Sequence, residues 1–181
     1  MTSDTLPDPL AILDDPIGTR FTKVAAVIGP DAVVERALAL LAGANAGEDF
    51  LLYAGGKHAK GVLEGAPPLY WPEVWGARAL LYVWNDTAVD AVIAGLTNEA
   101  WRVREMCARV AAERGVEAPD HLRALLTDDV ARVRAVAAEA LAATGGSADL
   151  DAVHALVKDA DLEVRKRAGA ASRSMRARLG G

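Results

Sequence analysis

Apolar residues in the second half of the chain return at helical spacing in two successive stretches, and the two-stretch block then starts again. In the first stretch of each block Val92, Leu122 and Val153 correspond, as do Leu96, Leu126 and Val157. In the second stretch Val103, Val133 and Val164 recur at spacings of 30 and 31, each followed four residues later by a small residue: Cys107, Ala137 or Ala168. Polar positions keep the same step. Asp90, Asp120 and Asp151 fall in the first stretches, Asn98, Asp128 and Asp159 in the turns between stretches, and Arg104, Arg134 and Arg165 directly after the valines. A period of this length with helical texture predicts a stacked helical repeat, in which each unit buries its apolar face only against its neighbours. The small residues predict close approach of packed helices, at about 8–10 Å between axes.

The same pattern sets the expected elements. Asn85 and Asp86 are placed to cap a helix running to about Leu96, with a partner from about Glu99 to Arg114, closed by Gly115. The next pair runs from Pro119 to Leu126 and from Val130 to Ala143, closed by Gly145 and Gly146. Ser147 is the expected cap of a last pair, reaching Lys158 and then running from about Leu162 to Arg178, with Gly180 and Gly181 fraying. Upstream, helices are expected over Asp31–Leu41, Glu48–Ala54 and Trp71–Trp84, with a weaker one between His58 and Leu63. The expected organisation is an irregular lead-in over 1–20, a helical N-terminal cap with a partial repeat over 21–84, and three repeats over 85–115, 116–146 and 147–181, in one continuous domain.

Composition agrees with an all-α chain: Ala, Leu and Val dominate, hydrophobic residues make up 52% and aromatics only 5%. No stretch approaches the ~20 apolar residues of a membrane span, and the acidic N-terminus (Asp4, Asp8, Asp14, Asp15) lacks the basic and apolar regions of a signal peptide, so a cytoplasmic protein is expected. The single cysteine, Cys107, rules out a disulfide framework and reads as a small core residue. Charge is uneven within the net −5: residues 1–100 carry −7 and residues 101–181 carry +2. From Leu162 onward Arg165, Lys166, Arg167, Arg173, Arg176 and Arg178 face only Glu163, so this last helix is either a solvated basic face or a docking surface for acidic protein or phosphate.

The run Asp128-Asp129-Val130-Ala131-Arg132-Val133-Arg134, repeated at Asp159–Arg165 and more loosely from Asn98, resembles a HEAT repeat of the short bacterial kind, also found in proteins similar to phycobilin lyases. The resemblance covers roughly Trp71 to the C-terminus. It implies an α-solenoid of about three regular helix pairs, and a hydrogen-bonded ladder between successive units built from Asp128, Asp159, Arg134 and Arg165, with Asn98 and Arg104 as the nearest match at its start. Upstream the ladder stops: aligning Val74 with Val103 puts Trp75 in the arginine's place and Leu69 in the carboxylate's.

Eight of the nine aromatics lie between residues 50 and 101, with Trp71, Trp75 and Tyr82 on one helical stripe; the cluster is either an enlarged core or a recognition pocket. Beside it Gly55-Gly56-Lys57-His58-Ala59-Lys60-Gly61 reads as a flexible basic loop able to offer Lys57 and His58 to an anion. Trp101, Arg102, Arg104 and Arg132 are expected to meet on the layer of second helices, which lines the concave face of such solenoids, and Arg134 supplies a further basic group. His58, His121 and His154 are scattered, and no catalytic or metal-ligand spacing can be assembled, so neither metal nor cofactor is expected. The favoured expectation is a non-catalytic scaffold or adaptor that binds a protein or peptide. The alternatives are a HEAT-like nucleic-acid-binding or DNA-repair protein, disfavoured by the acidic charge, and a small lyase-like enzyme using the aromatic pocket with His58 as acid or base.

Overall fold

A computed structural model describes residues 5–180, and every regular element among them is helical. The α-helices are α1 (Ile17–Ile28), α2 (Pro30–Leu41), α3 (Glu48–Gly55), α4 (Lys57–Leu63), α5 (Trp71–Ala79), α6 (Val89–Gly95), α7 (Trp101–Arg114), α8 (Pro119–Leu125), α9 (Ala131–Thr144), α10 (Leu150–Ala155) and α11 (Leu162–Gly180). The chain divides into two compact units, Met1–Ala91 and Val92–Gly181.

In the second unit α7, α9 and α11 pack side by side as one layer, and α8 and α10 form the layer behind them. The recurring apolar positions are its core: Val92, Leu122 and Val153 are fully buried, as are Val103 and Val133 with Cys107, Ala137 and Ala168. Gly115, in the left-handed region at φ 68°, ends α7 where a side chain would be strained. The last pair begins differently from expectation. Ser147 makes no capping bond; Asp149 accepts from the Gly146 N–H at 2.9 Å and opens a 3-10 turn, Ser147–Asp149, ahead of α10. A further 3-10 turn, Leu156–Lys158, follows α10. Gly180 belongs to α11, and Gly181 lies outside the described residues.

Burial of Cys107 pushes its thiol up to about 12, because the thiolate would have to form without water. The native protein is therefore expected to leave a thiol reagent such as Ellman's unreacted at pH 8, and to release one equivalent of chromophore per chain only in denaturant. Prompt reaction in buffer would show that α7 opens locally.

In the first unit α2 packs along α5 and α3 packs on α4, α5 and α1. Its core is Phe21, Val24, Val33, Ala37, Phe50, Tyr53, Trp75 and Leu80, with the Phe21 and Phe50 rings 5.9 Å apart. The residues expected to be an irregular lead-in contain two helical stretches: Leu10–Ile12 is a 3-10 turn and α1 starts at Ile17. The buried Tyr53 hydroxyl donates to the Pro7 carbonyl and holds this segment on α3. Asp4 lies outside the described residues. The helix expected from Trp71 to Trp84 ends at Ala79, where tightened turns from Leu80 to Tyr82 bring Leu80 and Val83 into the core. The basic loop expected around Gly55–Gly61 is helical on either side of one residue: Gly56 at φ 59° and ψ −139° turns α3 directly into α4.

Two arginines finish α3. Arg20 donates to the Leu52 carbonyl at 3.1 Å and Arg78 to the Ala54 carbonyl at 2.8 Å, so the negative end of the helix receives two cations. Burial lowers the affinity of both guanidinium groups for their protons, and for Arg20 the neighbouring Arg78 charge adds to the effect.

Candidate functional site

The turns between paired helices in the second unit carry a repeated rung. Arg104 grips both Asp128 oxygens, Nε at 2.7 Å and Nη2 at 3.1 Å, while its Nη1 donates to the Asn98 and Glu99 carbonyls at 2.8 Å. Arg134 repeats this one unit on: Nε and Nη2 each stand 2.8 Å from an Asp159 oxygen, and Nη1 donates to the Asp128 and Asp129 carbonyls. Each aspartate also accepts from the backbone N–H two residues ahead, Val130 or Asp161, and Asn98 does the same with Ala100. One planar fork thus ties its own turn to the next. The hydrogen bonds from Arg134 hold Asp159 below the usual carboxylate range and raise Arg134 itself. Arg165 makes the inner half of a third rung, its Nη1 donating to the Asp159 and Ala160 carbonyls at 2.8 and 2.9 Å. A surface cleft of about 590 Å³ opens over the first rung, lined by Arg104, Asp128, Asn98, Asp120 and His121 among others.

Around the layer of second helices the side chains are arranged differently. The half-buried Trp101 indole opens α7, with the Arg102 guanidinium carbon 4.4 Å and the Arg132 carbon 5.6 Å from its ring centroid. Arg132 donates Nε and Nη2 to one oxygen of the buried Glu105, at 3.1 and 2.9 Å. One helix further, Arg167 grips Glu139 through both oxygens, Nε on one and Nη2 on the other, and the Glu139 carboxylate raises the affinity of Arg167 for its proton. Trp101, Arg102 and Arg132 therefore come together as expected from the sequence. Arg104 and Arg134 do not join them, since their forks are taken up in the rungs.

In the first unit the aromatic cluster is split between core and surface. Trp75 is only 2% exposed and packs against Gly55, where an added Cβ would stand 2.7 Å from its ring. Trp71 is half-buried at a centroid distance of 6.2 Å from Trp75, and the exposed His58 sits against both rings at 4.6 and 5.4 Å. Lys57 points away into an exposed ion pair with Asp14. Among the described residues no group of three or more His, Cys, Asp or Glu is arranged to hold a metal ion.

Residues 74–142 match the family model for HEAT repeats. That stretch is similar to HEAT repeats. The crystal structure of an engineered protein from the Northeast Structural Genomics Consortium is similar in fold, with a TM-score of 0.56 and 20% identity over 95% of this chain and 89% of that one. No curated protein matches the chain. The fold class is all-α, an α-solenoid, and among the described residues no helix is long and apolar enough to cross a membrane.

Several groups that organise the stacked helices were not visible as repeating positions. Glu105 and Glu139 fall at different places in their helices, so the links Glu105–Arg132 and Glu139–Arg167 escape any search by register. Asp149, buried at 2% exposure, joins the Gly146 N–H to the Arg123 guanidinium, and no other repeat has a carboxylate there. Gly145 beside it admits no side chain: a Cβ would lie 2.7 Å from the Leu141 carbonyl oxygen. The run Gly145-Gly146 was the one available signal.

Proposed function

We propose that the protein is a non-catalytic scaffold or adaptor whose second-helix layer binds a protein or peptide around Trp101, Arg102 and Arg132. The observation that carries this reading is the Trp101 indole at the head of α7, accompanied by two guanidinium groups at cation–π distance. Large amphipathic rings and arginines are the side chains that supply most binding energy when a partner covers them. Arg132 reaches this position already braced by Glu105, so little side-chain entropy remains to be lost on docking. A partner offering an apolar or aromatic side chain beside a carboxylate or backbone carbonyl suits the group.

The nucleic-acid reading is weaker. Arg104 and Arg134, which it needs for phosphate contacts, have their forks filled by Asp128 and Asp159, and the chain is acidic at −5. The lyase-like reading draws on His58, whose ring is packed against Trp71 and Trp75 and which forms no hydrogen bond to a carboxylate among the described residues.

Affinity capture from a lysate of the source cells tests the adaptor reading, comparing wild type with the double variant Trp101→Ala/Arg132→Ala. Circular dichroism and thermal melting establish that both are folded. The expected result is a protein retained by wild type and lost from the variant, with affinity for that purified protein reduced about 30-fold or more, the effect of removing a ~2 kcal/mol anchor. A partner held equally by both would move the binding surface elsewhere, and recovery of nucleic acid instead of protein would overturn the adaptor reading.

A further inference from the structure

The third rung of the ladder is half built. Arg165 is held by the Asp159 and Ala160 carbonyls just as Arg104 and Arg134 are held by theirs, so its guanidinium plane is fixed. The Nε and Nη2 edge that takes Asp128 on Arg104 and Asp159 on Arg134 meets no carboxylate among the described residues. A fork set in this orientation is a preformed receptor for one carboxylate.

The helix around it has a matching character. Ala135, Ala138 and Ala142 of α9 are buried. Thirty-one residues on, the same register of α11 holds Lys166, Gly169 and Arg173. Lys166 and Arg173 are exposed, and the Arg173 side chain lies back over Gly169, with Nη1 3.6 Å from where a Cβ would stand. The face that α9 covers with alanines is therefore presented by α11 as a basic surface around an open arginine fork, with Leu162 at 56% exposure beside it.

We propose that this face of α11 docks an acidic segment of a partner protein, an aspartate of that segment taking the open edge of Arg165 while Lys166 and Arg173 meet neighbouring carboxylates. The two filled rungs show what the receptor accepts: a carboxylate gripped at 2.7–3.1 Å through both oxygens. Charge complementarity argues for the same occupant, since the positive charge of α11 is local in a chain that is acidic overall. This surface is separate from the group around Trp101 and does not depend on it.

The test is fluorescence anisotropy of fluorescein-labelled hexa-aspartate titrated with the full chain at low salt, alongside a labelled six-nucleotide oligothymidylate. Hexa-aspartate is expected to bind wild type in preference to the oligonucleotide. Arg165→Lys, which keeps the charge and removes the fork, is expected to weaken binding about tenfold, the loss of roughly one charge-assisted hydrogen bond. Lys166→Ala is expected to weaken it less. Because Arg165→Lys also gives up bonds to Asp159 and Ala160, a second variant, Lys166→Glu/Arg173→Glu, reverses the exposed charges alone and is expected to abolish binding with an unchanged melting temperature. The proposal is overturned if wild type does not bind hexa-aspartate, if Arg165→Lys and Lys166→Ala weaken it equally, if the charge-reversed variant still binds, or if the oligonucleotide binds better.

Discussion

Replacing Arg134 with alanine is expected to lower the unfolding free energy by about 3 kcal/mol, at the lower end of what removal of one member of a buried ion pair costs. The size follows from what is abandoned. Arg134 and Asp159 have side-chain exposures of 17% and 8%, so the aspartate left behind is shielded from the water that would otherwise solvate it. Two carbonyls, of Asp128 and Asp129, lose their shared donor in the same step. By comparison the ion pair of Lys23 with Asp15, whose side chains are 48% and 32% exposed, should be worth well under ~1 kcal/mol. Urea denaturation of wild type, Arg134→Ala, Asp159→Asn and the double variant forms a cycle, and a coupling below about 0.5 kcal/mol would show that the rung is decoration on a stack held by apolar packing. Arg134→Lys should recover little, because an ammonium has no planar fork.

The same pair sets a dependence on acid. Asp159 is held below its ordinary value of 3.8 by the Arg134 hydrogen bonds. A carboxylate whose folded value is depressed adds stability that is fully present above the unfolded value and is lost as pH falls through the folded one. Wild type should therefore lose this contribution progressively below about pH 4. Arg134→Ala lacks it at every pH, so the difference between the two proteins should narrow on the acid side.

How legible these features were in the sequence depended on whether they repeat. Val103, Val133, Cys107 and Ala137 could be placed in the core because the same chemistry returns after one period, and the Asp–Arg rungs announced themselves likewise. In the first unit the Asp–Arg rungs do not recur. α1 was hidden in a segment with Pro7, Pro9 and Pro16, whose helix-breaking signal ends at Pro16 itself, the residue just before the helix starts. The end of α5 at Ala79 carries neither glycine nor proline; burial of Leu80 and Val83 decides it, and that depends on contacts distant in sequence. Arg104 was expected beside Trp101, three residues away and so adjacent on the helix surface. The Asp128 carboxylate claims it instead, which a helical projection of α7 alone cannot show.

Gly76 illustrates the same limit with the largest consequence in the first unit. It lies inside α5, where glycine merely looks like a weak helix former. In the structure an added Cβ would stand 2.5 Å from the Ala37 carbonyl oxygen, 2.5 Å from the Leu41 nitrogen and 2.9 Å from the Leu40 Cβ. The first two are backbone atoms of α2, which cannot turn aside as a flexible side chain would. Gly76→Ala must push α2 and α5 apart over buried Val33, Ala37 and Leu40, and a cost of about 3 kcal/mol or more is expected, at the upper end of overpacking in a close-packed core. Gly61 in α4 provides the control: nothing lies within 4 Å of its Cβ position, and Gly61→Ala is expected to stabilise by about 0.5–1 kcal/mol through helix propensity and a less flexible unfolded chain. Thermal and urea unfolding of the two variants should thus move in opposite directions. If Gly76→Ala melted with wild type, α2 and α5 would have room to separate, and the close approach would not be what holds this unit together.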